Sequence, residues 1–163
     1  KLGIARTFQI PRPFPEMTCF ENVKVAVINR PGGATGATVE AVVEDTLEFL
    51  GLSHRAETEA KRLNLIEKKR LEMARALATD PELLLLDEVL AGLNTQEIGE
   101  AISLIQRLRD ERNITILWIE HVMGAIMKVA EKILVLDQGR KLMEGSPEEV
   151  VNDPKVIQAY LGE

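Results

Sequence analysis

The chain has 163 residues, 45% apolar and 28% charged, enough for one globular domain with at most a small appendage; this excludes a disordered chain. Aromatics are only 4%, so the core must be aliphatic, and a net charge of −6 leaves no basic excess to neutralise nucleic-acid phosphates. The single cysteine, Cys19, and the two histidines, His54 and His121, exclude an internal disulfide framework and argue against a Cys/His zinc cluster.

With a lone cysteine and no disulfide framework, a reducing, cytoplasmic setting is expected; no run approaches 18 apolar residues and no signal peptide is read. The opening GIARTFQI reads as a strand ending near Gln9, and the chain is expected to begin partway through a domain. Pro11, Pro13 and Pro15 then impose an extended loop. Thr18, with Glu21 three residues on, predicts a capped helix over 19–28. Residues 29–36 form a Gly/Pro-rich loop, and helical spacing of Val39, Val42, Val43, Leu47 and Leu50 predicts a helix over 37–50 stopped by Gly51. A further helix is expected over 65–79, with Pro81 preventing its continuation. Its charges at 67–70 and at Arg75 read either as a solvated face or as a helix whose N-terminus points at an anion.

From residue 80 the pattern alternates. Apolar runs at 83–86, 114–119 and 133–136 are separated by helical patterns at 96–112 and 122–130. Runs apolar on both faces predict parallel strands covered by helices. A turn at 137–139 returns the chain through 140–144 as a hairpin, and Pro147 and Pro154 open two short helices. The fold class expected is α/β, with a parallel sheet and a helical insertion.

Two strand ends carry chemistry. Asp87 and Glu88 follow the run Leu83–Leu86, at the edge where open α/β sheets bind ligands. An Asp there can hold Mg²⁺ beside nucleotide phosphates, and the next Glu can polarise an attacking water. The run Ile114–Ile119 likewise delivers Glu120 and His121, and a neutral imidazole can hold a γ-phosphate oxygen and a water. Gln9 offers an amide oxygen for Mg²⁺ and an amide NH₂ for water. Each signal taken alone is weak.

Together and in this order the segments resemble an ATP-binding-cassette (ABC) ATPase, a P-loop NTPase-like fold, over essentially the whole chain. Arg6-Thr7-Phe8-Gln9 resembles its glutamine loop, and Arg70–Leu77 the helix after its signature motif. LLLLDE at 83–88 resembles Walker B with its catalytic Glu, Ala91-Gly92-Leu93-Asn94 the D-loop, and Ile119-Glu120-His121 the switch histidine. The segment at 8–23, the AGLN and the tail PKVIQAYLGE are similar to the ATP-binding subunits of branched-chain amino acid importers.

The resemblance implies a sheet core at 1–17 and 80–150, a helical subdomain at 18–79 and a tail helix at 151–163. It implies Glu88, His121 and Gln9 as catalytic residues, and Asp87 with Gln9 as Mg²⁺ ligands. Asn64, Leu65, Ile66 and Glu67 would face a nucleotide held by a second ATPase subunit, and Gly92, Leu93 and Asn94 would contact that subunit. ATP and Mg²⁺ are the implied cofactors. The other implied partners are membrane permease subunits and, through them, a solute-binding protein; nucleic acid is not among them. The location implied is peripheral, on the cytoplasmic face of the plasma membrane.

The sequence departs from the pattern in three ways. No G-x-x-x-x-G-K-[ST] occurs, so the P-loop is expected before residue 1. Leu63–Glu67 reads LNLIE in place of LSGGQ. Val89 stands for the usual Pro after the catalytic Glu, and Val122 for the usual Asp after the switch His. The first two leave a competing reading, a non-catalytic interaction module that keeps part of the fold. A third reading, a cassette ATPase acting on DNA or ribosomes, is opposed by the acidic balance and the transporter-like tail.

Overall fold

The computed structural model describes residues 2–30, 33 and 37–161. Most of the Gly/Pro-rich loop expected at 29–36 and the last two residues of the tail lie outside the described residues. The chain divides into two compact units, Lys1–Glu120 and His121–Glu163.

In the first unit the order is β1 (Ile4–Arg6), α1 (Cys19–Asn29), α2 (Val39–Phe49), two 3₁₀ turns (Ser53–Arg55 and Ala60–Arg62), α3 (Leu65–Leu77), β2 (Leu83–Asp87), α4 (Thr95–Arg112) and β3 (Thr115–Ile119). The three strands form a parallel sheet in the order β1-β2-β3. The apolar run 83–86 is thus the central strand, with Leu84 and Leu86 fully covered on one face and Leu83 and Leu85 half-buried on the other.

The opening strand is shorter than expected. It ends at Arg6, and Gln9 lies in the loop beyond it. Thr7 still donates its N–H to Leu85 O at 2.9 Å. The next amide, that of Phe8, faces the other way and donates to the Glu72 carboxylate at 2.6 Å.

Period-2 alternation sorts the side chains. Ala5, Leu84 and Leu86 are buried on one face. On the other, Leu117 is 59% and Ile119 61% exposed. Coverage of the sheet is therefore uneven among the described residues.

Helix starts are written in the sequence. Thr18 caps α1 with Glu21, as expected; the same reciprocal box recurs at Asn64/Glu67 on α3 and Asn94/Glu97 on α4. After α2, Gly51 takes φ +69°, where a side chain would be strained. Val23, Val27, Val43, Leu47, Leu71 and Ala74 are buried in an aliphatic core. Aromatic scarcity is offset at the surface by stacking: the Arg107 and Arg112 guanidinium groups both lie 4.5 Å from the Phe49 ring centre, joining α4 to α2. Cys19 is fully buried, and that burial, reinforced by Glu67, pushes its thiol up to about 11, so it stays protonated and unreactive.

The charged stretch of α3 is not a solvated face. Glu67, Lys69 and Glu72 are all buried.

The second unit holds α5 (Met123–Val129), β4 (Ile133–Asp137), β5 (Arg140–Gly145), α6 (Pro147–Val151) and α7 (Pro154–Leu161). β4 and β5 form the expected antiparallel hairpin, turning through Gln138 and Gly139, both at positive φ. Its apolar core is Ile133, Val135, Val150 and Val156, flanked by Ile126 and Met127. The sequence pattern predicts that the run 133–136 continues the parallel sheet; among the described residues it pairs only with β5, antiparallel.

Candidate functional site

The site begins at the tip of β2. Asp87 is the last residue of that strand, and its Oδ2 accepts an ion-paired hydrogen bond from Arg6 Nη2 at 2.8 Å. Arg6 lies opposite Leu85 in the register, one pleat back on the face that Asp87 shares. Glu88 leaves the strand at φ +44°, a left-handed conformation that costs a non-glycine residue about 1–2 kcal/mol. Such strain persists where surrounding contacts over-determine it. Here the Glu88 N–H donates to Ile119 O at 2.9 Å and the Glu88 carbonyl accepts from Ala91 N at 3.2 Å.

The Gln9 side-chain amide donates to the Glu88 carboxylate. Two residues singled out separately, 79 positions apart, are thus in direct contact. Glu120, read as a strand-end acid, accepts from the Leu90 N–H at 3.3 Å and holds the loop that follows Glu88. His121 is exposed and opens the second unit, immediately after Glu120 in the chain.

The signature-like and D-loop-like segments meet in a second place within the first unit. Asn64 is the N-cap of α3: its Oδ1 accepts from Glu67 N at 2.9 Å, while the Glu67 carboxylate accepts from Asn64 N at 3.0 Å and from Arg55 Nε at 2.7 Å. These groups are engaged in closing the helix end. Leu65 is exposed and Ile66 half-buried. Gly92, at φ +78°, lies so close to Leu65 that a Cβ there would sit 3.0 Å from Leu65 Cδ2. Leu93 donates its N–H to Leu90 O, and Asn94 caps α4. Asn64, Glu67, Arg70, Asn94 and Glu97 share the lining of one open cleft of about 320 Å³.

A broader groove of about 1050 Å³ runs along β1 past the Gln9 loop to α1. Its wall carries Arg6, Arg12, Arg30 and Arg75, and it exposes Phe8 and Ile10. The Arg75 guanidinium donates to Arg12 O at 2.9 Å and covers the Phe14 ring. Among the described residues no three His, Cys, Asp or Glu side chains are grouped to hold a metal unaided, and no helix is long and apolar enough to cross a membrane.

Lys69 and Glu72 sit behind this site; Lys69 belongs to the charge run at 67–70, while sequence reasoning gave Glu72 no role. The one available signal was their spacing of three, which puts them on the same helical face as Met73 and Ala76.

The ABC transporter family model matches residues 1–91, and the model of the branched-chain amino acid ATP-binding cassette transporter matches residues 140–163. The high-affinity branched-chain amino acid transport ATP-binding protein LivG of Salmonella typhimurium is 43% identical over 176 residues, covering 100% of this chain and 69% of LivG. BraF of Pseudomonas aeruginosa, with the same description, is 38% identical, covering 99% of this chain and 68% of BraF. The ADP conformation of MJ1267, an ATP-binding cassette of an ABC transporter, matches with a TM-score of 0.81 at 32% identity, covering 99% of this chain and 69% of that one. On this likeness, and on the parallel sheet that presents Asp87 and Glu88 at its edge, the chain belongs to the ABC transporter family, as an ATPase of the ATP-binding-cassette type.

Proposed function

We propose that this chain is the catalytic part of a subunit that hydrolyses ATP to power import of branched-chain amino acids. The observation that carries the proposal is the contact between the Gln9 amide and the Glu88 carboxylate beside Asp87 at the tip of the central strand. Amino acid specificity rests on the LivG and BraF relatives and on the match at residues 140–163. The reading requires a phosphate cradle that none of the 163 residues forms, and a P-loop segment joined to this chain would supply it. The P-loop-bearing subunit is the polypeptide that joins such a segment to this chain.

Glu88 acts as general base on the attacking water. Gln9, bonded to it, holds that water and the base in line. His121 steadies the γ-phosphate. The oxygen donors fit Mg²⁺, which takes one or two protein oxygens and fills its shell from phosphates and water. Asp87 has Oδ1 left after pairing with Arg6, and Gln9 has its amide oxygen left after donating through nitrogen. Bound there, Mg²⁺ would neutralise phosphate charge.

Two such subunits pair. Asn64, Leu65, Ile66 and Glu67 face the partner's nucleotide, and Gly92, Leu93 and Asn94 meet the partner. Leu65, exposed against Gly92, supports a shared surface for the two segments. The helical segment 18–79 and the arginine-walled groove beside Gln9 dock permease subunits, which places the protein peripherally on the cytoplasmic face of the membrane.

The test is ATP hydrolysis by the purified P-loop-bearing subunit. Turnover that rises more than linearly with subunit concentration is expected, because the site needs two copies. A protein that binds ATP without hydrolysing it would return the chain to a non-catalytic interaction module; the mutual capping of Asn64 and Glu67 gives that second reading its support.

A further inference from the structure

Two buried charges have no part in the roles above. Lys69 is 7% exposed and Glu72 6%, one helical step apart on α3. Burying a carboxylate is expensive unless its oxygens are satisfied. Both oxygens of Glu72 are: Oε1 accepts from Phe8 N at 2.6 Å and Oε2 from Arg12 N at 3.2 Å. These amides bracket Gln9. They are scarce in this loop, because Pro11, Pro13 and Pro15 have no N–H and that of Phe14 is taken by Asn22 at 2.8 Å.

Lys69 points the other way. Its ammonium lies 3.5 Å from the carbonyl oxygen of Glu88, among the Glu72, Glu88 and Glu120 carboxylates. The contacts close a ring: Glu72 holds the loop of Gln9, Gln9 holds the Glu88 side chain, and Lys69 holds the Glu88 backbone, on the helix that also bears Glu72.

We propose that Glu72 and Lys69 are positioning residues that fix Gln9 and Glu88 against one another from a single helix, α3. This rests on the reading of Glu88 as base and Gln9 as its partner. Through Glu72 and Lys69, a displacement of α3, whose first turn is the signature-like segment, shifts both loops at once. In-line attack tolerates little misplacement: an error of about 1 Å can cost about 100-fold in rate.

The experiment is a double-mutant cycle in the P-loop-bearing subunit. Glu72→Gln keeps the size and one acceptor oxygen but replaces the other with a donor facing an amide N–H. It is expected to lower kcat by about 10-fold or more at unchanged KM for ATP, in a variant still folded at the assay temperature although one unmet buried N–H lowers its Tm. In a Gln9→Ala background the same substitution is expected to change kcat by less than about 2-fold, because its effect runs through Gln9. Should Glu72→Gln fail to fold, Lys69→Met is read instead: its loss of kcat is expected to persist in the Gln9→Ala background, because Lys69 meets the Glu88 backbone directly, and Lys69→Arg is expected to restore kcat. Wild-type kcat in both single variants, or a full multiplicative loss from Glu72→Gln in the Gln9→Ala background, overturns the proposal. Glu88→Gln, run alongside, separates the two failures. If that variant still turns over, the assignment of the base has failed. If it is inactive while Glu72→Gln and Lys69→Met are normal, the positioning role has failed.

Discussion

Glu88→Gln in the P-loop-bearing subunit should lower kcat by about 10²–10⁴-fold while leaving ATP affinity within about 3-fold of wild type. The exchange removes the only property assigned to Glu88, its capacity to take a proton. It keeps side-chain length and an oxygen that can still accept from the Gln9 amide. The backbone demand is also unchanged, since Gln tolerates the left-handed φ of +44° no worse than Glu. Asp87, with its Arg6 partner, is untouched, and so is the oxygen proposed for the nucleotide's metal. Steady-state hydrolysis alongside equilibrium ATP binding checks both halves. A variant that retains turnover within 3-fold would show that the proton goes elsewhere.

The largest expected effect on stability is at Leu84. Leu84→Ala should destabilise the fold by about 2–5 kcal/mol, the range for a large-to-small change in a rigid core. Leu84 is fully buried at the middle of the central strand, opposite Ala5 on β1 and Ile116 on β3. Its neighbours belong to strands on both sides, so the space it leaves cannot collapse without disturbing the pairing that sets Asp87 and Glu88 at the edge. Ile28→Ala, at a site 58% exposed on α1, should change stability by less than about 1 kcal/mol. Equal losses in urea titrations of the two variants would contradict the assignment of Leu84 to the core.

Much of this was legible in the sequence, because the physics that places it is local. The run Leu83–Leu86 has no polar residue to turn to water, so it is central; Gly51 and Pro81 stop helices for backbone reasons that need no tertiary context. Thr18 with Glu21 announces a helix start, and Asn64 with Glu67 and Asn94 with Glu97 carry the same signature. The encounter of Gln9 with Glu88 is a matter of strand order, and only the resemblance, with its fixed succession of motifs, anticipated a common site. What stayed hidden depends on long-range partners. The strand at Ile4 ends at Arg6, and beyond it Phe8 N is bonded by a carboxylate 64 residues away. Ile133–Asp137 pairs with β5 and, among the described residues, not with the parallel sheet, which its apolar composition alone does not distinguish. Lys69 and Glu72 are buried charges, and residue type alone assigns such side chains to solvent.

ATP-driven uptake tests the central proposal most directly. Vesicles carrying the P-loop-bearing subunit with its permease, loaded with ATP and Mg²⁺, would be given radiolabelled leucine, isoleucine or valine with the solute-binding protein on the opposite side. The predicted result is accumulation of at least one of the three that requires ATP and disappears with Glu88→Gln. Hydrolysis of ATP at full rate with no accumulation of any of them would contradict it.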